Sequence, residues 1–441
     1  MSWRAGLPAA GHARLSAARS VPVPLLIPKT TRSGVCRSIS MTHCTALARA
    51  TGRGLPAGVR PSTARARPQD DSIQGESMLS ALSRTAVLAF LLWTGLSSLA
   101  RAATPLEEAN EKTRAFVRAT MEQQRIPGLQ VAVVRQGRIV LLENVGFANV
   151  ENRVPVTGKT LFPINSATKA FTGVAVMQLV QDGRVDLDAP LSRYLDDVPD
   201  AWREVRIRQL LGHTSGLPEI VDTQGSLGGL KERDAWTAVE ARQIEAHPGE
   251  QFAYNQTNYG LLSRIISTLT GQPYERFVAQ RQFDAAGMAS TTFGDSYDLV
   301  AGAATIYSVS PRGTMAPNDA DRLSHWLYDM PYSLWAGGGI QTTAEELSHW
   351  IIALTENRLL DAPQVQRMWR PERLNNGAEG EWAAGWPVLK SDAPRQIAGI
   401  GGARAAFVIY PDEDLAVVVL TNLAGANPQR FIRQIGDFYL R

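Results

Sequence analysis

Residues 161–173 read LFPINSATKAFTG, and the fold turns on how Ser166-Ala167-Thr168-Lys169 within them is read. Ser is a favoured helix N-cap and Lys a good helix former, so these four residues alone fit an ordinary helix start. The residues beyond Lys169 are less ordinary. Phe171, Val174, Ala175 and Leu179 recur at helical spacing, Val176 and Met177 fill the other side, and Gly183 stands where a helix stops. A helix apolar nearly all round is deeply buried, which puts its N-terminal serine at the floor of a depression. Lys169, three residues on, shares a face with Ser166 one turn up. Taking an ammonium out of water favours the neutral amine, a base able to deprotonate a neighbouring serine for attack on a carbonyl. The free N–H groups and positive dipole end of such a helix stabilise the oxyanion that forms.

Outward from this segment, LQVAVVRQGRIVLLE (129–143) reads as two strands around a Gln136-Gly137 turn. RAAFVIYPDEDLAVVVLTN (404–422) reads as a second hairpin around Pro411-Asp412-Glu413-Asp414. Val417, Val418 and Val419 in a row are apolar on both faces, which predicts a central strand covered by helices. Thr343 and Glu346 predict a capping box opening a helix, and a last helix is predicted from about Pro428 to Leu440. Between 190 and 330 the chain is rich in loops. Strands at both ends with helices between them predict an α+β fold: one antiparallel sheet formed by both termini and flanked by helices, with a mainly helical, loop-rich insertion.

The first 77 of the 441 residues carry eleven Lys or Arg against three acids and show no sustained apolar period. Met78 to Ala102 then reads as a secretory signal peptide, with Arg84, an apolar run from Ala86 to Leu99, and Ala100-Arg101-Ala102 before a cut after Ala102. The expected organisation is therefore a leader at 1–77 from an over-called start, a signal at 78–102, and one domain at 103–441. A secreted or periplasmic location is expected from that signal. The apolar run is shorter than the roughly 18 to 20 residues of a membrane span, so no stable span beyond the signal is expected. Both cysteines, Cys36 and Cys44, fall in the leader, which excludes a thiol nucleophile or disulfide framework in the mature chain. Taking the leader's charges from the 45 basic and 42 acidic residues leaves 34 against 39, so the balance gives no support to nucleic-acid binding. His213, His247, His325 and His349 lack metal-ligand spacing. No metal or cofactor is expected. Gly212-His213-Thr214-Ser215-Gly216 fails the G-x-S-x-G pattern, so His213 reads as a structural turn residue. Gly337-Gly338-Gly339 lacks the Lys-Ser or Lys-Thr of a phosphate loop and reads as close backbone packing.

Five ordered phrases carry a resemblance: FPINSATKAFTGVAVMQLVQDGRVDLDAPLSRYL (162–195), IRQLLGHTSGLP (207–218), HPGEQFAYNQTNYGLL (247–262), GGGIQTTAEELSHW (337–350) and AVVVLTNLAG (416–425). Over about 110–441 the chain resembles the serine β-lactamase and penicillin-binding D,D-peptidase superfamily, especially its class C-like branch of carboxypeptidases and esterases. The resemblance implies that Ser166 is the acylated nucleophile, Lys169 its general base and Tyr254 the proton shuttle to the leaving group. It implies an oxyanion hole from the backbone N–H groups of Ser166 and Gly402. Two departures stand out. Gln256 replaces the Asn of the Tyr-x-Asn motif, keeping the amide with an added methylene, and is expected to bond substrate or Lys169. Gly399-Ile400-Gly401 replaces Lys-Thr-Gly, removing a grip on a substrate carboxylate worth roughly 1.5 to 3 kcal/mol. Gly401 is then a substrate-lining backbone position, and Arg404 is a candidate replacement for the lost charge. The expected partner is a small-molecule or peptide ester or amide, cleaved by an esterase or D-peptidase-like enzyme rather than an efficient β-lactamase. The alternatives are a non-catalytic binding or scaffold member of the same fold, and a true class C-like β-lactamase.

Overall fold

A computed structural model of the chain describes residues 104–221, 231–309 and 322–440. The expected leader and signal peptide lie outside the described residues. Thr104 caps α1 (Pro105–Gln124): its side chain accepts from the Glu107 N–H while Glu107 reaches back to the Thr104 N–H, and Pro105 takes the first turn, where no donor is needed. The hairpin β1 (Gly128–Arg135) and β2 (Arg138–Asn149) comes next, turning at Gln136 and Gly137, both at positive φ. A short β3 (Val154–Pro155) leads to α2 (Thr168–Gln181). The insertion carries α3 (Thr257–Thr270), and α4 (Ala344–Thr355) returns the chain toward β4 (Val388–Lys390), β5 (Gln396–Gly401), β6 (Ala405–Tyr410) and β7 (Leu415–Thr421). The chain closes with α5 (Ile432–Asp437).

The seven-stranded main sheet runs β3-β2-β1-β7-β6-β5-β4 and is antiparallel throughout. The strand bearing Val417–Val419 is central, flanked by β1 and β6 as predicted. Because strand side chains alternate, Leu129, Val131, Val133, Val417 and Val419 pack with Val117 of α1 and Ile432 and Ile435 of α5. Ala132, Val134, Phe407, Ile409 and Val418 face the other way, into the larger core with α2, α3 and α4. Every residue of α2 from Thr168 to Leu179 is buried, which explains its lack of a polar face. Asp182 ends it and Gly183 comes next at φ +70°, the predicted stop.

Two local expectations need correction. The Thr343 side chain accepts from the Glu346 N–H at 3.1 Å, but Glu346 does not complete the box. Its carboxylate accepts instead from the Ser290 N–H and the Thr291 hydroxyl, tying α4 to the preceding segment. The last helix is shorter than predicted: Asn427 at φ +50° and a 3₁₀ turn over Pro428–Arg430 precede it. Among the described residues no helix is long and apolar enough to cross a membrane.

Candidate active site

Ser166 lies in a 3₁₀ turn, Asn165–Ala167, that runs directly into α2. The serine is therefore one step before the α-helix rather than within its first turn, and it is half-buried. Lys169, in the first turn of α2, has no exposed surface. Its Nζ donates to Gln256 Oε1 and to the Gly337 carbonyl, each at 2.8 Å. It also lies 4.9 Å from the ring centroids of both Tyr254 and Tyr259. All these partners are neutral. Burying a lysine side chain on neutral partners, with no carboxylate at contact distance among the described residues, is costly for stability.

Of the two options left to Gln256 by its sequence, the bond to Lys169 forms. Gln256 starts α3, and its N–H is shared between the two carboxylate oxygens of Glu219 at 3.1 and 3.0 Å. Burial pushes the Glu219 carboxyl up, against the opposing pull of the Val221 and Gln256 N–H groups and of Lys169. Tyr254 is 39% exposed and turns its ring face toward Lys169, whereas Tyr259 is wholly buried with its hydroxyl donating to the Leu211 carbonyl at 3.0 Å. The core aromatic of this phrase is thus Tyr259, and Tyr254 is the exposed one beside Lys169.

His213 is the turn residue its phrase suggested, at φ +57° and fully buried. Its Nδ1 accepts from the Asn255 N–H at 3.1 Å, and its ring lies 4.4 Å from that of Tyr254. Burial, and after it the charge of Lys169, pushes the imidazole far below its ordinary value, so it stays neutral. It supports Tyr254 from behind. Gly337 supplies the close packing read from its triplet, and more: a Cβ there would sit 2.8 Å from Gln256 Oε1 and 3.3 Å from Lys169 Nζ.

The opposite wall is β5. A Cβ on Gly401 would fall 1.7 Å from the Ile164 carbonyl oxygen and 3.0 Å from the Ala167 nitrogen, so this strand can meet the Ser166 turn only as glycine. Gly402 comes next at φ +54° in the turn to β6, close against the Asn165 side chain. Gly399 pairs with Phe407, and a Cβ at 399 would come within 2.2 Å of that ring. Phe407 in turn packs edge-on against Trp386 and Trp350. Where the resemblance leads one to expect a cation, the space is taken by a buried phenyl ring. Arg404, read from the sequence as a substitute grip, is 3% exposed and lies behind the turn, with Nη2 donating to Asn165 Oδ1 at 2.6 Å.

Residues 113–438 match the Beta-lactamase family. The chain belongs to that family. Protein flp of Staphylococcus aureus (strain MRSA252) is 26% identical over 329 residues, covering 72% of this chain and 63% of its own length. The putative penicillin-binding protein PbpX of Bacillus subtilis (strain 168) is 27% identical over 252 residues, covering 57% of this chain and 61% of its own. The chain thus spans a little under two thirds of the curated relatives it matches. A penicillin binding protein from Bacillus halodurans shares the architecture with a TM-score of 0.61 at 25% identity, over 72% of this chain and 98% of that one. These comparisons place the fold in the serine β-lactamase and transpeptidase superfamily, whose members are generally serine hydrolases.

Within this candidate site of the Beta-lactamase family member, four contributors escape a reading by residue type: Asn165, Glu219, the Gly337 carbonyl and Phe407. Asn165 carried a local signal, since Asn tolerates the left-handed backbone it adopts at φ +43°. A carbonyl or a half-buried carboxylate bound by backbone N–H groups carries none, because its role depends on what folds against it.

Proposed function

We propose that the protein is a secreted or periplasmic serine hydrolase that cleaves an ester or amide through an acyl-enzyme on Ser166. One observation carries the reading: among the described residues Lys169 is held at zero exposure by neutral acceptors alone, three residues along the chain from a half-buried serine. A lysine buried in this way is an expensive packing element, and its amine is placed to serve as a base. Ser166 Oγ attacks the carbonyl carbon while Lys169 takes its proton. The oxyanion is received by the N–H groups of Ser166 and Gly402. Tyr254, over Lys169, passes the proton to the leaving group, and water then releases the acyl group along the same path. Gln256 holds the Lys169 side chain in place.

The substrate preference is set by the β5 wall. With Phe407 filling the space at Gly399, no cation on that strand grips a substrate carboxylate, so the reading favours simple esters or peptide-like amides over β-lactams. Ser166→Ala is expected to abolish p-nitrophenyl ester turnover and fluorophosphonate labelling; labelling that survives the substitution sinks the assignment. Nitrocefin hydrolysis is expected well below the usual enzymatic kcat/KM of about 10⁴ M⁻¹s⁻¹. A binding or scaffold role has one observation in its favour, the bonding of Lys169 to Gln256 and Gly337 rather than to Ser166. Folded wild-type protein that no serine-directed probe acylates would establish that role instead.

A further inference from the structure

Arg404 is an anomaly that the proposed chemistry leaves unused. Its guanidinium is 3% exposed, and among the described residues no carboxylate pairs with it. Nη2 donates to the neutral side-chain oxygen of Asn165 at 2.6 Å, the ring of Tyr328 lies 5.0 Å away, and Nε is buried with no partner among the described residues. Burial pulls the group down to about 10, which leaves it protonated near neutral pH. A cation in this setting contributes little to folding, and a well-packed apolar side chain of similar volume would serve the core as well or better.

What the cation does hold is informative. Asn165 immediately precedes Ser166, is 7% exposed, and sits at φ +43°, a conformation that an L-residue adopts only at a cost unless something fixes it. Its side chain also covers Gly402, where a Cβ would approach Oδ1 to 2.7 Å. Arg404 itself is anchored through its backbone. Its N–H donates to the Gly401 carbonyl at 3.0 Å, and its own carbonyl accepts from both the N–H and the hydroxyl of Thr421, each at 2.9 Å. One side-chain hydrogen bond therefore joins the segment bearing the Ser166 N–H to the turn bearing the Gly402 N–H, two segments 239 residues apart in sequence.

We propose that Arg404 is a positioning residue for acyl transfer: through its bond to Asn165 it locks the two halves of the oxyanion hole at the spacing the tetrahedral intermediate requires. The inference rests on Ser166 being the nucleophile. It explains why the buried cation pairs with an amide: the bond is strengthened by charge on one side, while no carboxylate adds negative charge behind the site where an oxyanion forms. It also explains why the residue at 402 is glycine.

The test uses the full chain, a fluorophosphonate probe for acylation and p-nitrophenyl butyrate for turnover. Arg404→Met and Asn165→Gly are each expected to slow acylation and kcat about 10- to 100-fold, the scale of a misplaced oxyanion donor, with KM within about threefold of wild type. Arg404→Lys, which keeps the charge and one donor, is expected to recover part of the loss. Because both single variants break the same bond, the double variant is expected to be no slower than the slower single. Asn165→Gly suits the left-handed backbone, so it carries the test should Arg404→Met fail to fold. Wild-type rates in either folded single variant would overturn the proposal, as would losses that multiply in the double. A rise in KM at unchanged kcat would overturn it in favour of direct substrate contact. Ser166→Ala run in parallel separates the two readings. Labelling that persists there defeats the nucleophile assignment, whereas its loss beside an unaffected Arg404→Met defeats the positioning role alone.

Discussion

On the α2 side of the site, Lys169 lies at zero exposure with Gln256 and Gly337 converging on its Nζ, while on the β5 side Gly399 leaves the place of a charge to the buried ring of Phe407. The two walls sit under different constraints. The helix wall keeps polar groups that cost stability, which is the signature of chemistry. The strand wall is packed for stability, with Phe407, Trp350 and Trp386 in one aromatic cluster, and it retains only backbone facing the serine. In the proposed hydrolase, such a pair of walls would separate acyl transfer from recognition of a substrate carboxylate.

Breaking the helix wall is expected to have the largest effect. Lys169→Met preserves bulk and removes the base, so kcat/KM for p-nitrophenyl butyrate is expected to fall by about 10³-fold or more with the fold intact by circular dichroism. A smaller loss would mean that another group takes the Ser166 proton. Breaking the strand wall is expected to act on stability first. Gly401→Ala drives a methyl into the Ile164 carbonyl and is expected to cost about 3 kcal/mol or more in urea unfolding. An unfolding midpoint equal to that of wild type would show that β5 can move away from the nucleophile turn.

The third test concerns pH. His213 is buried neutral, so its folded-state value lies far below the 6.5 it recovers on unfolding. Below pH 6.5 the unfolded chain takes up a proton that the native chain refuses. This contribution to stability is therefore complete above pH 6.5 and is lost as pH falls, by up to about 1.4 kcal/mol per pH unit. Thermal midpoints of wild type and His213→Asn are expected to diverge at neutral pH and converge on acidification toward pH 5; parallel curves would contradict a neutral imidazole. The smallest effect is expected for Gln256→Asn, which shortens the reach to Lys169 by one methylene. A fall of about tenfold or less in kcat/KM is expected, and a gain would show that the longer amide is the poorer ligand.

Much of the frame was legible because its signals are local. Apolar runs around turn residues gave the two terminal hairpins, Val417–Val419 gave the central strand, and an all-apolar helix ending at Gly183 gave α2. The helix α1 was not legible, since its buried stripe includes Ala109, Thr113 and Thr120, residues too small or polar to mark a face. The split before α5 depends on Asn427 taking a left-handed turn after β7. In the site, Ser166, Lys169, Tyr254 and Gln256 stood out by their phrases; Lys169, Tyr254 and Gln256 meet near the starts of α2 and α3, and Ser166 lies one step before α2. Phe407 did not, because its intrusion at Gly399 is a cross-strand contact, and neither did the Arg404–Asn165 bond across 239 residues.

The central claim is that acylation happens at Ser166 and nowhere else. Fluorophosphonate-treated protein, digested and mapped by mass spectrometry, is predicted to carry one adduct, on the peptide containing Ser166, absent from Lys169→Met at matched exposure. An adduct on another serine, or none on folded protein, would contradict the account.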